Sequence, residues 1–380
     1  MACGRRLLSA SEASIRGDQM RPPGIGAEDG CGLVESGNED GPLAGSSASR
    51  ELVTVIVPAY NAGATIGATL DSIRAQTHTN LEVLVIDDGS TDATAEIVLH
   101  HASIDPRIRL IRQSNEGVAA ARNRGIAEAS GEYLAPIDAD DLWRPDKIER
   151  QMQVLRARGS RVGLVYCWFA LIDEKSRIVS LRHRPVDEGD VLARMCLGNV
   201  VGNGSSALIR KSVALEVGGY DPSLRARQAQ GCEDLKFHLQ IAARHHFAVV
   251  KDHLTGYRRT RFSMSSDVAQ MIRSYELVAA EFIKKYPQYF WQFHEGKNFV
   301  LSWLLTTAFW HHRYRDAVRL TRMMLANDRR YALFILAVMP AILTRNALAP
   351  VVRRWLKTAP WPRRGAAPSH FLSGSNALTA

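Results

Sequence analysis

The stretch IDADDLW, residues 137–143, places three aspartates within four positions, directly after an apolar run. Carboxylates this close repel one another, and a divalent cation among them relieves the repulsion. Oxygen ligands suit Mg²⁺ or Mn²⁺, which bind through one or two carboxylates together with substrate phosphates. Asp138 and Asp140 therefore form a candidate metal site. The competing interpretation is a solvated turn, in which Asp141 caps the next element.

A second acidic pair, Asp87 and Asp88, follows the apolar run LEVLVI. Acids at such strand ends accept hydrogen bonds from the ribose of a nucleotide; the alternative is an Asp-rich turn that caps a helix near Ser90. The sequence has neither GxGxxG nor GxxxxGK[ST], the glycine-rich loops that cradle phosphates. A nucleotide bound without such a loop would have its phosphates held by a metal.

The elements that position these acids alternate between strand and helix. Four buried strands are predicted from VTVIVPAY, LEVLVIDDG, RIRLIRQ and EYLAPID, with helices at ATIGATLDSIRAQ and from Val118 to Ala129. This order predicts βαβ units on a parallel sheet with right-handed crossovers. Ligands bind beyond the carboxyl ends of such strands, and both acidic clusters follow predicted strand ends.

Composition and charge exclude several classes of protein. The 380 residues are 46% hydrophobic and 23% charged, which allows a sizeable core. The net charge of +9 could suggest nucleic acid, but residues 313–364 alone hold twelve Lys/Arg and two Asp. The rest of the chain is therefore close to neutral. A nucleic-acid-binding protein carries its basic stripe on the folded domain, so no nucleic-acid partner is expected.

Three regions are predicted along the chain. Residues 1–50 are rich in Gly, Ser and acidic residues and predict a disordered leader. Residues 51–265 hold the strand–helix alternation and predict an α/β domain. Residues 266–380 predict a basic α-helical C-terminal extension, with about the last 15 residues disordered.

The cysteines and the two ends of the chain predict its location. The five cysteines are an odd number without a CxxC pair, which fits a reducing compartment. The N-terminus lacks the apolar run of a secretory signal. Residues 331–343, YALFILAVMPAIL, are apolar but too short to span a bilayer, which needs about 20 residues. They are interpreted as a helix buried on the domain or, slightly favoured, an interfacial helix on an anionic membrane. The predicted location is the cytoplasm, with peripheral contact on the cytoplasmic face of the membrane.

Four ordered motifs, VTVIVPAYNAGATIGATLDSIRAQ, VLVIDDGSTD, NEGVAAARNRGI and GEYLAPIDADD, closely resemble the family 2 glycosyltransferases of the GT-A fold. The resemblance spans roughly residues 53–262 and implies a Rossmann-like, doubly wound, mostly parallel α/β sheet. It implies that Asp138 and Asp140 hold Mg²⁺ or Mn²⁺ on a diphosphate, with Asp140 the preferred direct ligand. The residues that it implies for nucleotide binding are Pro58, Ala59, Tyr60, Asp87, Asp88, Asn115, Gly117 and Arg122.

The segment GCEDLKFHLQIA contributes a further acidic pair. Taken alone, the pair is typical of a helix start favoured by the helix dipole. The resemblance implies that Asp234 is the general base. The downstream segment GYRRTRFSMSSD lacks the histidine that related enzymes often carry, so no third protein ligand of the metal is assigned. Candidate contacts to the diphosphate or acceptor are Glu233, Trp143, Arg258 and Arg261.

The resemblance implies an inverting hexosyl transfer from a nucleotide-diphosphate sugar, with UDP favoured. The acceptor would be a hydroxyl of a saccharide or lipid-linked molecule in cell-surface polysaccharide or glycan synthesis. Two alternatives stay open. A nucleotidyltransferase also uses acidic pairs with Mg²⁺, but usually has a basic Gly-rich loop after strand 1, whereas AYNAGATIG has no basic residue. A non-catalytic nucleotide-sugar-binding protein would keep Asp88 without needing Asp234.

Overall fold

The computed structural model describes residues 51–181, 184–259, 267–310, 312–339 and 370–372. The predicted leader, residues 1–50, lies outside these residues. The strands are β1 (Val53–Ala59), β2 (Leu81–Asp87), β3 (Ile108–Arg112), β4 (Tyr133–Pro136), β5 (Leu142–Trp143), β6 (Val162–Ile172), β7 (Ile178–Ser180), β8 (Ala207–Arg210) and β9 (His246–Arg258). The helices are α1 (Ile66–Arg74), α2 (Thr94–Ile104), α3 (Val118–Glu128), α4 (Lys147–Arg158), α5 (Leu192–Leu197), α6 (Lys211–Glu216), α7 (Ser223–Ala226), α8 (Glu233–Ala242), α9 (Val268–Lys285), α10 (Phe290–Trp310) and α11 (Tyr314–Asn327).

A single mixed sheet joins the described strands in the order β3-β2-β1-β4-β8-β6-β9-β5, with β7 paired to β6. The four strands predicted from the apolar runs, β1 to β4, are mutually parallel. β8 runs antiparallel to both of its neighbours, and β9 lies parallel to β6. The predicted α/β sheet is therefore present, with a reversed strand where its second half begins.

The side chains of β1 alternate between two cores because successive residues of a strand point to opposite faces. Val55 and Val57 pack with α1 and α4, whereas Ile56 packs with α3 on the other face. Gly125 in α3 lies so close to Ile56 that a Cβ would clash with it. Both faces of the central strands are thus covered, which explains why their sequences are almost continuously apolar.

The C-terminal helices pack on the α/β domain. Leu304 of α10 and Leu320 of α11 belong to the same core as Phe237 of α8. A Cβ at Gly296 in α10 would lie 2.7 Å from the carbonyl oxygen of Cys196, so the glycine permits close contact with α5. The described residues from 51 onward therefore belong to one compact unit. The predicted boundary at residue 265 lies outside the described residues, and α9 begins at Val268.

The apolar run predicted at residues 331–343 is helical as far as residue 339, and its remainder lies outside the described residues. In the part of the chain that the structure describes, none of the helices has the length and apolar character that a bilayer crossing requires. Residues 370–372 fall in the stretch predicted to be disordered, yet Phe371 is buried against the sheet.

Candidate active site

The carboxyl ends of three adjacent parallel strands meet at one edge of the sheet. The carbonyl of Ala59, at the end of β1, accepts a hydrogen bond from the Asp88 N–H at 2.8 Å. The Ile137 N–H donates to the carbonyl of Ile56 at 2.9 Å, which continues the pairing of β4 with β1. Tyr60, Asp88 and Asp138 therefore follow neighbouring strands at the same edge, where the sequence predicted a ligand site.

The turn Asp138–Asp141, called the acidic loop below, is held from beneath by α1. The Asp141 N–H donates to the Asp138 carbonyl at 3.0 Å and closes the turn. The Thr69 hydroxyl donates to the carbonyls of Ala139 and Asp141 at 3.0 and 2.9 Å. The Thr65 hydroxyl donates to the Ala139 carbonyl at 2.9 Å. Thr65, which precedes α1, and Thr69 on its buried face thus hold the backbone of the acidic loop in place.

Asp141 is a fully buried structural residue. Its Oδ2 accepts a hydrogen bond from the Ser205 hydroxyl at 2.5 Å, and its Oδ1 accepts one from the Arg258 N–H at 2.8 Å. Burial raises the pKa of its carboxyl well above the ordinary value. Asp141 therefore ties the acidic loop to the end of β9 and to the turn at residues 204–206.

Asp138 and Asp140 differ in their partners. Asp138 Oδ1 accepts a hydrogen bond from Arg122 Nη2 at 2.5 Å, which leaves Oδ2 outside the ion pair. The carboxylate of Asp140 has no side-chain hydrogen-bond partner among the described residues, and its backbone carbonyl accepts a hydrogen bond from Arg258 Nε at 2.7 Å. Burial and the neighbouring Asp138 charge raise the pKa of Asp140 to about 6. The loop therefore keeps one destabilised carboxylate available.

These residues fit a hard divalent cation that arrives with a phosphate ligand. The described residues contain no cluster of three or more His, Cys, Asp or Glu able to cage a metal alone. Mg²⁺ and Mn²⁺ commonly bind through one or two carboxylates and complete their coordination with substrate phosphates and water. Asp140, with Oδ2 of Asp138, would hold the ion, which would offset the charge that raises the pKa of Asp140.

The second acidic pair is already bonded within the chain. Asp88 Oδ1 accepts from Gln113 Nε2 and from the Glu116 N–H, both at 2.8 Å, and its Oδ2 accepts from the Gly117 N–H at 2.8 Å. Asp87 Oδ1 accepts from the Ser90 N–H at 2.9 Å. Asp88 therefore shapes the loop 113–117, and one lone pair of Oδ2 is left for a base or ribose.

An arginine from α7 closes over this loop. Arg225 donates to the Asn115 carbonyl at 2.9 Å and to its Oδ1 at 2.6 Å. Gly117 has a φ of 93°, and a Cβ there would lie 2.9 Å from Arg225 Cδ. Asn115 and Gly117, predicted to line the nucleotide cleft, thus belong to a loop that Asp88 holds on one side and Arg225 on the other.

The end of β1 supplies an exposed aromatic ring next to the turn that follows β2. Pro58 and Ala59 are buried in the strand, whereas Tyr60 is 54% exposed. The next residue, Asn61, accepts a hydrogen bond from the Thr91 N–H at 2.9 Å and donates its own N–H to Ser90 Oγ at 2.9 Å. Hydrogen bonds therefore hold the chain directly after Tyr60, while the Tyr60 ring is exposed. An exposed ring on a fixed backbone is suited to stack on a planar ligand group.

The predicted general base lies at the start of α8. Asp234 Oδ1 accepts the Leu235 N–H at 2.7 Å, while Oδ2 has a long contact of 3.5 Å with Asn199 Nδ2. Burial raises the pKa of Asp234 to about 6, although the Arg122 charge opposes the rise. Its neighbour Glu233 is buried and accepts the Gly231 N–H at 2.7 Å, so it fixes the helix start.

Arg122 lies beside the acidic loop, and its charge also acts on Asp234, the predicted general base. Its guanidinium is buried, pairs with Asp138 and stands 5.1 Å from the ring centre of Tyr220. Its Nε, the Tyr220 hydroxyl and both ring nitrogens of His238 are buried without a hydrogen-bond partner in the described ranges. Arg122 was predicted to bind nucleotide; the structure pairs it with Asp138, and its positive charge opposes the rise in the pKa of Asp234.

The remaining predicted contacts have different surroundings. Trp143 is wholly buried, and its Nε1 donates to the Ser205 carbonyl at 2.8 Å. Arg258 is buried, and its guanidinium donates to the carbonyls of Asp140, Asp173 and Glu174. Both residues support the acidic loop from within the protein, and a phosphate contact by Arg258 would require it to exchange these bonds. Arg261 lies outside the described residues.

Several supporting residues escaped the sequence predictions. Ser205 bonds both ends of the acidic loop, because its Oγ also accepts the Asp138 N–H at 3.0 Å. Asn203 caps the short 3-10 turn that carries Ser205, a pattern visible in GNGSSA. Arg225 and Tyr220 carry no local signal, since their partners lie about a hundred positions away in the chain.

Comparison with known proteins identifies the domain that carries this site. The family model described as glycosyl transferase family 2 matches residues 54–218. These residues form a family 2 glycosyltransferase domain. The resemblance drawn from the four motifs is thereby confirmed.

One curated relative of the glycosyltransferase domain is a teichuronic acid biosynthesis protein by name. TuaG of Bacillus subtilis is 40% identical over 110 residues, which are 29% of this chain and 44% of TuaG. The chain spans between about a third and somewhat over half of the length of the first curated relatives that it matches.

Solved structures confirm the GT-A type fold of the glycosyltransferase domain and the helical region after it. TarS 1–349 of S. aureus, solved with UDP-GlcNAc, superposes with a TM-score of 0.54 at 17% identity over 78% of this chain and 87% of that chain. The mannosyltransferase PcManGT of Pyrobaculum calidifontis, solved with GDP-Man and Mn²⁺, gives 0.50 at 21% identity over 82% and 84%.

Proposed function

We propose that the protein transfers a sugar from a nucleotide-diphosphate sugar to an acceptor hydroxyl, with inversion at the anomeric carbon. The observation that carries the proposal is that Arg122 pairs with Asp138 of the acidic loop while its charge also acts on Asp234. This brings the two carboxylates with raised pKa values, Asp140 of the same loop and Asp234, into one site. Asp140 stands at the donor edge of the sheet, and Asp234 stands on α8. One carboxylate suits a phosphate-bound metal and the other suits proton transfer.

The chain's own residues account for the proton transfer. Asp234 Oδ2, the oxygen with only a long contact to Asn199, accepts the proton of the acceptor hydroxyl. The acceptor oxygen attacks C1 of the sugar as the bond from C1 to the diphosphate oxygen breaks. Inversion follows because attack and departure take place on opposite faces, without a covalent intermediate. General-base assistance of this kind contributes about 10²–10⁴-fold to the rate.

Other residues bind and orient the donor. Asp88 holds the loop 113–117, and the exposed Tyr60 ring offers a stacking surface for the base. A bound Mg²⁺ or Mn²⁺ would neutralise charge on the leaving diphosphate as a Lewis acid. Arg122 keeps Asp138 in place and supplies fixed positive charge next to the reaction centre.

Asp234→Asn tests the proposal because it keeps the shape of the side chain and removes the base. We expect the kcat for sugar transfer to fall about 10²–10⁴-fold, while affinity for the nucleotide sugar stays within a few-fold. Asp71→Asn is the matched control, since Asp71 is 63% exposed on α1 and its partners are Arg74 and His101, away from the proposed site. Full transfer activity in Asp234→Asn would contradict the assignment.

The pH profile of the wild-type protein gives a second reading of the same group. A general base must be deprotonated, and the pKa of Asp234 is raised to about 6. We therefore expect kcat/KM at saturating metal to be constant above that pH and to fall about tenfold per unit below it.

Product analysis separates the proposal from its alternatives. Release of a free nucleoside diphosphate, abolished by EDTA, indicates glycosyl transfer, whereas pyrophosphate indicates nucleotidyl transfer. Binding without either product indicates a nucleotide-sugar-binding protein.

For the donor, we favour a UDP-sugar and a role in cell-surface polysaccharide synthesis, with a saccharide or lipid-linked acceptor. Support comes from the TarS complex with UDP-GlcNAc and from the name of TuaG. The GDP-Man and Mn²⁺ complex of PcManGT makes GDP the second nucleotide to test. A thermal-shift panel of UDP- and GDP-sugars with Mn²⁺ would identify the donor by the largest stabilisation.

The surface of α11 supports peripheral contact with an anionic membrane on the cytoplasmic side. Tyr314, Val318 and Leu325 are exposed and lie within 40° of one another around the helix axis at 100° per residue. An exposed stripe of Arg315, Arg319 and Arg322 lies beside them. Apolar side chains flanked by arginines match the boundary between acyl chains and anionic headgroups.

Co-sedimentation with vesicles containing phosphatidylserine tests this contact. Arg319→Glu should weaken binding several-fold, because each basic residue near the surface contributes about 1 kcal/mol. Lys251→Glu is the control with the same change of charge at an exposed position on β9. Equal sedimentation of both variants and the wild type would contradict the proposed contact.

A further inference from the structure

Residues near the C-terminal end of the chain pack against the sheet beside the acidic loop. His370 forms an antiparallel bridge with Arg177, and the Phe371 N–H donates to the Ser176 carbonyl at 3.0 Å. The Phe371 side chain is 2% exposed and shares a small core with Leu142 and Ile172. This core is separate from the two main cores of the domain.

The Phe371 ring supports the strand that follows the acidic loop. A Cβ at Gly256 would lie 2.9 Å from the ring's Cδ1, so the ring occupies the space that a side chain at Gly256 would fill. Gly256 pairs with Leu142 in the β9–β5 ladder, and Leu142 directly follows Asp141. The ring therefore packs on Gly256, and the strand partner of Gly256 is Leu142, the residue directly after the acidic loop.

A second connection runs through Ser176 and Arg258. Ser176, whose carbonyl accepts the Phe371 N–H, has a φ of 58° and accepts a hydrogen bond on its Oγ from Arg258 Nη2 at 3.0 Å. Arg258 Nε donates to the Asp140 carbonyl at 2.7 Å, and its backbone N–H donates to Asp141 Oδ1 at 2.8 Å. A residue other than glycine in left-handed backbone conformation needs support from its surroundings, and the Phe371 N–H supplies a hydrogen bond there.

We propose that Phe371 is a positioning residue for the donor site. Through it, residues 370–372 hold the acidic loop in the conformation that binds the donor. Two independent connections, one by packing and one by hydrogen bonds, converge on Asp140–Leu142. The inference rests on the proposed function, because it assumes that Asp140 receives the metal-bound diphosphate of a nucleotide sugar. It assigns a functional role to a segment outside residues 54–218, where the family model matches.

The first experiment compares Phe371→Ala with Leu372→Ala in the full-length chain. Leu372 is the adjacent apolar residue but is 40% exposed, so its truncation is the matched control. Phe371→Ala should raise the KM for the donor and the dissociation constant for nucleoside diphosphate with Mn²⁺ about tenfold, with the KM for the acceptor unchanged. Phe371→Leu, which refills most of the space, should restore donor affinity. A merely structural role would lower active protein concentration and kcat without this split.

The second experiment is a double-mutant cycle with Gly256→Ala. The added methyl group should displace the Phe371 ring and reproduce the donor defect of Phe371→Ala. In the Phe371→Ala background the same substitution should have no further effect, because the space is then vacant. Independent, multiplicative effects on donor affinity would overturn the proposal.

Hydrogen exchange separates failure of the inference from failure of the proposed function. Amides of residues 138–144 and 173–178 should exchange at least several-fold faster in Phe371→Ala than in Leu372→Ala. If the wild type neither binds nucleotide with Mn²⁺ nor transfers sugar, the proposed function and the role of Phe371 in it both fall. If the wild type binds but Phe371→Ala matches it in affinity and exchange, only the inference falls.

Discussion

The two acidic clusters lie at the ends of neighbouring strands, yet the protein treats their charges in opposite ways. After β2, Asp88 accepts three hydrogen bonds from residues 113–117, and Asp87 accepts one from Ser90. After β4, only Asp141 is comparably bonded, while Asp140 has no side-chain partner in the described part of the chain and a pKa raised to about 6. The first cluster is held mainly by hydrogen bonds within the chain, and the second keeps one half-buried carboxylate without a side-chain partner among the described residues.

Similar acids at equivalent strand ends therefore have different roles. A carboxylate with all its partners in place stabilises a loop, so its contribution is structural and is present without ligand. A carboxylate crowded by like charge costs stability until a cation arrives, so its contribution is to binding. Three predictions test this contrast, in order of decreasing expected effect on activity and stability.

The largest effect is expected for Asp140→Asn. Loss of the metal-binding charge should reduce kcat/KM about 10²–10³-fold, since a Lewis-acid cation contributes several kcal/mol and each 1.36 kcal/mol is a factor of ten. Stability in the absence of metal should stay the same or rise, because like-charge repulsion with Asp138 disappears. Sugar-transfer kinetics and urea unfolding in EDTA measure the two quantities.

Asp141→Asn is the control within the same loop. It should destabilise the fold by about 1–3 kcal/mol, because a buried hydrogen-bond partner is left unsatisfied. If Asp140→Asn lowered stability more than Asp141→Asn, the division of roles inside the acidic loop would be wrong.

An intermediate effect is expected for Asp88→Asn. The amide cannot accept all three hydrogen bonds from residues 113–117, so the free energy of unfolding should fall by about 1–3 kcal/mol. The KM for the donor should also rise, by up to about tenfold for each 1.4 kcal/mol of stability that is lost. The kcat should change less. Unchanged stability would show that this cluster is not the self-contained one.

The smallest effect is expected for Gly117→Ala. The residue has a φ of 93°, and its new Cβ would press on Arg225 Cδ, so both backbone strain and contact strain should loosen the nucleotide loop. We expect a loss of about 1–2 kcal/mol in stability and a modest rise in the KM for the donor.

Gly159→Ala isolates the backbone part of that effect. Gly159 has a φ of 73° and nothing within 4 Å of its hypothetical Cβ. It should therefore lower stability by about 1 kcal/mol without changing the KM for the donor. Equal donor KM values in both variants would argue against the clasp formed by Arg225.

The sequence by itself predicted the four strands of the parallel half of the sheet and the positions of the acids at strand ends, whereas the order of the strands came from the structure. These features depend on local patterns: apolar runs, helical spacing, and the rule that parallel strands present their carboxyl ends at one edge. The motifs added the family and, through it, the assignments of Asp88, Asp140 and Asp234 as site residues, which the experiments above test.

Which of these acids keep carboxylate oxygens free to bind a ligand depends on the tertiary structure. Ser205, Arg258 and Arg122 select Asp140 by occupying Asp141 and one oxygen of Asp138, and their partners lie 16 to 117 positions away. Phe371 packs with Leu142, the residue that follows this loop, although it lies more than two hundred positions away in the chain. Such contacts leave no local pattern, because hydrogen bonding and burial depend on distances that the folded chain sets and its sequence spacing does not.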